Sequence, residues 1–97
     1  MQIDKESLPD FWTGVGTVSK TPAKLSDASQ PIRKGIYIRV GTLPAGALLS
    51  IGSTQAVGTI GFVVPAGETS PLLYIDDVSK LWVVSTEDNT PFTWIAF

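Results

Sequence analysis

Gly35-Ile36-Tyr37-Ile38-Arg39-Val40 is the stretch on which the fold turns. Successive side chains of a strand point to opposite faces, so Ile36, Ile38 and Val40 line one side and Tyr37 and Arg39 the other. That is the alternation of a half-buried strand. Thr42-Leu43-Pro44-Ala45-Gly46 ends it in a turn, where Pro44 fixes φ early and Gly46 is free to take positive φ. Ala47 to Gly52 then reads as a second strand.

The same grammar continues to the last residue. Ser53 to Ala56 is a polar connection, and Val57 to Val64 is a strand in which Gly58 and Gly61 suggest a bulge or a close neighbour. Pro65-Ala66-Gly67-Glu68 repeats the Pro-Ala-Gly turn; the flanking strands do not match, so this is one turn solution used twice rather than an internal repeat. Leu72 to Ile75, Leu81 to Val84 and Phe92 to Phe97 complete the strands, separated by Asp76 to Ser79 and by a turn over Glu87 to Pro91. Both faces of the last strand are apolar, which predicts a strand lying between two layers or lining a subunit contact.

Residues 1–31 differ from this pattern. Pro9, Pro22 and Pro31, several Ser and Thr, and one apolar cluster at Leu8, Phe11 and Trp12 show no sustained period of two or of 3.6. They read as an extended arm, in which Ser7 caps at most one helical turn before Gly14 and Gly16 stop it. The alternative is a first edge strand through Val15 and Val18, with Ala23 and Leu25 beyond the interruption at Pro22. The expectation is an all-β chain: an N-terminal arm over residues 1–31, and over residues 32–97 a small antiparallel β-sandwich or barrel. About six to seven strands are expected.

Composition narrows the function. Charged residues make up 16% of the 97 residues, against roughly 25% in ordinary soluble domains, so little charge is available to coat the outside. Either Ser, Thr, Gly and Gln solvate the surface, or an assembly covers part of it. The net charge of −2 and the scattered basic residues provide no stripe to neutralise a phosphate backbone, which argues against nucleic acid as a partner. No apolar run approaches the roughly 18 residues of a spanning helix, and Met1 to Glu6 lacks the basic-then-apolar order of a signal peptide. The chain reads as soluble and unsecreted, with no membrane partner.

The reagents of common catalysis are missing. With no His and no Cys, His-based triads, thiol nucleophiles and the usual zinc sites are excluded. Asp76-Asp77 is an adjacent acidic pair, but neighbours on a strand diverge, so a turn role accepting backbone N–H groups is favoured over a calcium or acid–base role. The glycines of Gly58-Thr59-Ile60-Gly61 and Gly14-Val15-Gly16 lack the Lys-Ser/Thr ending of a phosphate loop and read as turn, bulge or flexibility glycines. Arg39 and Lys80 read as solvated face residues. No catalytic, cofactor or metal residue is assigned, and an enzyme is not expected.

Taken in order, Lys34 to Arg39, Leu48 to Ser53, Gly61 to Glu68, Ile75 to Val83 and Thr93 to Phe97 resemble a β module of tailed-bacteriophage virion proteins, in particular capsid decoration (cement) and head-fibre subunits. No one of these elements is specific, and the ordered combination carries the resemblance over residues 33–97. It implies a structural protein on the capsid surface of a virion assembled in the host cytoplasm, with the major capsid protein as partner and a homo-oligomer, a trimer by preference. On that reading subunits meet through apolar surface around Trp82, Trp94, Ile95 and Phe97. Phe11 and Trp12 anchor the arm across neighbouring capsid subunits. The competing expectation is a carbohydrate- or receptor-binding module, with an exposed aromatic pair such as Tyr37 and Trp82 as the stacking platform.

Overall fold

A computed structural model describes residues 11–55, 57 and 61–97. Seven strands form two antiparallel sheets packed face to face: β1 (Trp12–Val18), β2 (Ala23–Lys24), β3 (Ile36–Val40), β4 (Leu48–Gly52), β5 (Phe62–Pro65), β6 (Trp82–Ser85) and β7 (Thr90–Ala96). One sheet has the order β1-β7-β3 and the other β2-β6-β4-β5. A 3₁₀ turn, Val78–Lys80, precedes β6. The all-β sandwich expected from the strand pattern is the observed fold.

The core is the set of inward positions of both sheets. Ile36, Ile38 and Val40 of β3 are fully buried, as their alternation requires, and they share one core with Leu49, Ile51, Val64 and Val83 from the opposite sheet and with Leu81 just before β6. β7 runs down the middle of the three-stranded sheet, and its inner positions Phe92, Trp94 and Ala96 belong to this core. The outer positions Thr93 and Ile95 stay at least partly exposed.

Residues 12–25 depart from the arm expected over residues 1–31. β1 pairs with β7 along its whole length, Trp12 opposite Ala96 through Val18 opposite Thr90, and β2 pairs with β6. The edge-strand alternative is what forms there. Residues 1–10, with Ser7 and Leu8 of the expected helical turn, lie outside the described residues. Gly14 and Gly16 are not turn or bulge glycines. A Cβ on Gly14 would sit 2.4 Å from the Trp94 indole, and one on Gly16 would sit 2.7 Å from the Phe92 ring. Each glycine stands directly opposite the aromatic it accommodates, so a bare backbone on β1 makes room for the largest side chains of β7.

The Leu72 to Ile75 strand is replaced by an irregular run along the outer edge of β3. Pro71 has no N–H to give, so a regular ladder cannot continue through it. Ser70 fills the gap: its N–H donates to the Ile38 carbonyl, and its hydroxyl accepts from the buried Ile38 N–H at 2.9 Å. Leu73 then exchanges bonds in both directions with Ile36. Of the expected Val57 to Val64 strand only β5, from Phe62, is formed: Val57 is helical, its carbonyl accepting from Gly61 N–H at 2.8 Å, and residues 58–60 lie outside the described residues.

The two Pro-Ala-Gly turns share one geometry. Ala47 N–H donates to Pro44 O and Glu68 N–H to Pro65 O, each at 3.1 Å, with Gly46 at φ +78° and Gly67 at φ +83°. These are the marks of a type II turn, whose third residue needs positive φ. The turns also touch at one end of the sandwich, through the Ala66 N–H on the Ala47 carbonyl.

β6 passes the chain from one sheet to the other through a turn held by buried hydroxyls. Thr90 Oγ1 donates to Glu87 O at 2.9 Å, which leaves Ser85 Oγ to donate to Thr90 Oγ1 at 2.7 Å while accepting from Glu87 N–H. Every polar atom of the pair is thereby engaged in a place where an unpaired one would be costly.

Candidate interaction surface

The outer face of the three-stranded sheet is built by register. Because Val15 and Arg39 both pair with Thr93, and Thr13 and Tyr37 both pair with Ile95, two rows of side chains run across β1, β7 and β3. Thr69, bridged to Arg39 along the edge of β3, closes one side. Together these residues line a shallow groove of about 600 Å³. Its floor is aliphatic and aromatic, with hydroxyls from threonines and Tyr37 and one charged side chain, Arg39. Phe97 extends it, with its ring centroid 6.0 Å from that of Tyr37. Val15 is 80% exposed, an unusual position for an aliphatic side chain in the middle of a seven-residue strand.

The six side chains expected to make contacts do not converge on one surface. Ile95 and Phe97 belong to the groove face, and Phe11, just before β1, is 53% exposed. Trp82 is half-buried on the outer face of the other sheet, where Lys24 Nζ lies 6.0 Å from its ring centroid. Trp12 packs against the core with the Arg33 guanidinium 5.8 Å from its ring centroid, and Trp94 is a core residue at 9% exposure. A patch joining Trp82, Trp94, Ile95 and Phe97 is therefore not formed within one subunit. The Tyr37 and Trp82 platform is not formed either, since their strands belong to different sheets and both side chains point outward.

The chain matches no protein-family model, no curated protein and no solved structure.

Groove residues that the sequence reading passed over are Thr13, Val15, Thr69 and Thr93. A signal for them exists in Thr13-Gly14-Val15-Gly16-Thr17, where the glycines alternate with side-chain-bearing residues at the period of a strand. Among the described residues, no cluster of three or more Asp or Glu side chains is placed to hold a metal ion.

The acidic pair is accounted for by structure. Asp76 makes an exposed ion pair with Lys80 at 2.9 Å. Asp77 caps the 3₁₀ turn, accepting from Ser79 N–H at 2.9 Å and Ser79 Oγ at 2.8 Å, and it ties in the remote loop through Ser29 Oγ at 2.6 Å and Gln30 N–H at 3.1 Å. The Ser29 hydroxyl, then the Ser79 amide and hydroxyl, hold its carboxyl well below the usual carboxylate range. A carboxyl with a depressed folded-state pKa adds stability above its unfolded pKa of about 3.9, and that stability is lost as pH falls below it. The thermal midpoint is therefore expected to drop on acidification below about pH 4. Asp77→Asn should lie below wild type at neutral pH, with the gap narrowing in acid; a pH-independent gap would contradict this. Thermal unfolding followed by circular dichroism across pH measures it.

Proposed function

We propose that this protein is a structural, non-enzymatic subunit that self-associates and decorates the outside of a tailed-bacteriophage head, seated on the major capsid protein. The observation that carries the assembly role is the apolar outer face of the three-stranded sheet, with Val15 at 80% exposure. A fold this short of charge gains by covering such a face, and burial of apolar surface drives association. The second sheet adds exposed Leu48 and Val63, so a subunit has apolar surface for both a copy of itself and a capsid. The phage setting rests on the ordered elements from Lys34 to Phe97, which resemble virion decoration modules. Purified protein mixed with assembled heads is expected to cosediment with them and to raise their resistance to heat and dilution. Heads that sediment without the protein would refute the capsid role.

A further inference from the structure

We infer that two copies of this chain join edge to edge through β1, about a two-fold axis at Val15, to make one continuous sheet. The inference deepens the proposed self-association by naming its contact.

Hydrogen-bond phase shows which atoms of β1 are on offer. On the β3 side, β7 uses Phe97, which exchanges bonds with Gly35, and Pro91, whose carbonyl accepts from Gly41 N–H. Residues of an antiparallel strand face its two neighbours alternately, so Thr90, Phe92, Trp94 and Ala96 face β1. Their register partners Val18, Gly16, Gly14 and Trp12 are consequently taken. The backbone N–H and C=O of Thr13, Val15 and Thr17 therefore point to the outer edge of β1, where no described residue pairs with them.

The other sheet edges are blunted in the ways that discourage pairing. β3 is covered by the segment from Gly67 to Leu73. β2 has two residues, one of them Lys24, and follows Pro22. β5 has four and ends in Pro65. β1 has seven residues with no charge and no proline.

Its sequence also fits a second copy of itself. A two-fold contact brings the same patch from both subunits together, so the patch must be self-complementary. Thr13-Gly14-Val15-Gly16-Thr17 is a palindrome about Val15. With the axis there, Val15 stands opposite Val15 of the second copy, Thr13 opposite Thr17, and Gly14 opposite Gly16. The Val and Thr pairs are the residues whose backbone groups have no partner among the described residues, and in the dimer each pair exchanges N–H···O bonds in both directions. Val–Val and Thr–Thr pairs across antiparallel strands are favourable, and the arrangement covers the exposed Val15 side chain with its own kind.

Sedimentation equilibrium on the full chain tests this. Wild type is expected to be a dimer. Val15→Lys, at an exposed site, should keep the wild-type circular dichroism, and the wild-type thermal midpoint at dilutions where both proteins are monomeric, while weakening the dimer by roughly tenfold or more, since it sets like charges directly opposite. Val15→Glu should do the same, and mixing the two variants should restore a dimer containing one of each. A monomeric or trimeric wild type, a dimer indifferent to both substitutions, or a mixture that stays monomeric would overturn the inference. Head cosedimentation is scored separately: a dimer that ignores heads refutes only the capsid role, and a monomer or trimer that binds them refutes only the β1 contact.

Discussion

Trp94→Ala is expected to destabilise the protein by about 3–5 kcal/mol, a large share of the roughly 5–15 kcal/mol available to a domain of ordinary stability. The indole is nine-tenths buried and sits in space that Gly14 leaves open on the neighbouring strand. The complementary change, Gly14→Ala, puts a methyl group 2.4 Å from the indole and is expected to cost about 1–3 kcal/mol by overpacking. The two losses should not add. Once Trp94 is truncated, the methyl at position 14 has room, and alanine stiffens the unfolded chain relative to glycine by about 0.4–1 kcal/mol. The double variant should therefore be no less stable than Trp94→Ala alone. Urea titration of the four proteins measures the coupling, and simple additivity would show that the glycine is not there for the indole.

Leu49→Ala is expected to cost about 2–5 kcal/mol, while Leu48→Ala, one residue away, should cost no more than about 1 kcal/mol. Leu49 is fully buried on β4, opposite Val64 on one side and Ser85 on the other, whereas Leu48 is 41% exposed on the outer face. Removing buried methyls leaves a cavity that the surrounding sheets only partly close. The contrast tests the facing of β4 directly, because a one-residue slip of register would reverse the order of the two effects. Denaturant unfolding of both variants decides it.

Both pairs of predictions also mark how far the sequence could be read. β3 was legible because β-branched apolar residues alternate with Tyr37 and Arg39, and periodicity survives without knowledge of neighbours, whereas β6 was legible only as a short apolar run bounded by polar turns. The twin turns were legible for a similar reason: Pro and Gly carry backbone preferences of their own. β1 was obscured because two of its inward positions are glycines, which contribute nothing to a hydropathy pattern. Their role appears only when Trp94 and Phe92 are placed opposite them. The run beside β3 was misread as a strand because Leu72-Leu73-Tyr74-Ile75 has the right composition, whereas Pro71 and the Ser70 hydroxyl determine how it pairs. The candidate surface was the least legible part. β7 is apolar on both faces, so which face is buried depends on where the second sheet lies, and Val15 joins Ile95 and Tyr37 only through register across three strands.

One end of the sandwich has a practical use that follows from its geometry. At the turn of Pro44 to Ala47, Ala45 and Gly46 are exposed, and a Cβ built on Gly46 meets nothing within 4 Å. Exposed turn tips of small residues are where chains best accept extra sequence. At the sister turn the corresponding Cβ on Gly67 would lie 3.6 Å from Thr42, and that N–H is tied to the carbonyls of Val40 and Gly41. The same four-residue solution thus gives one anchored corner and one free corner, and the free one is the natural place to graft a tag or displayed peptide without disturbing the sheets.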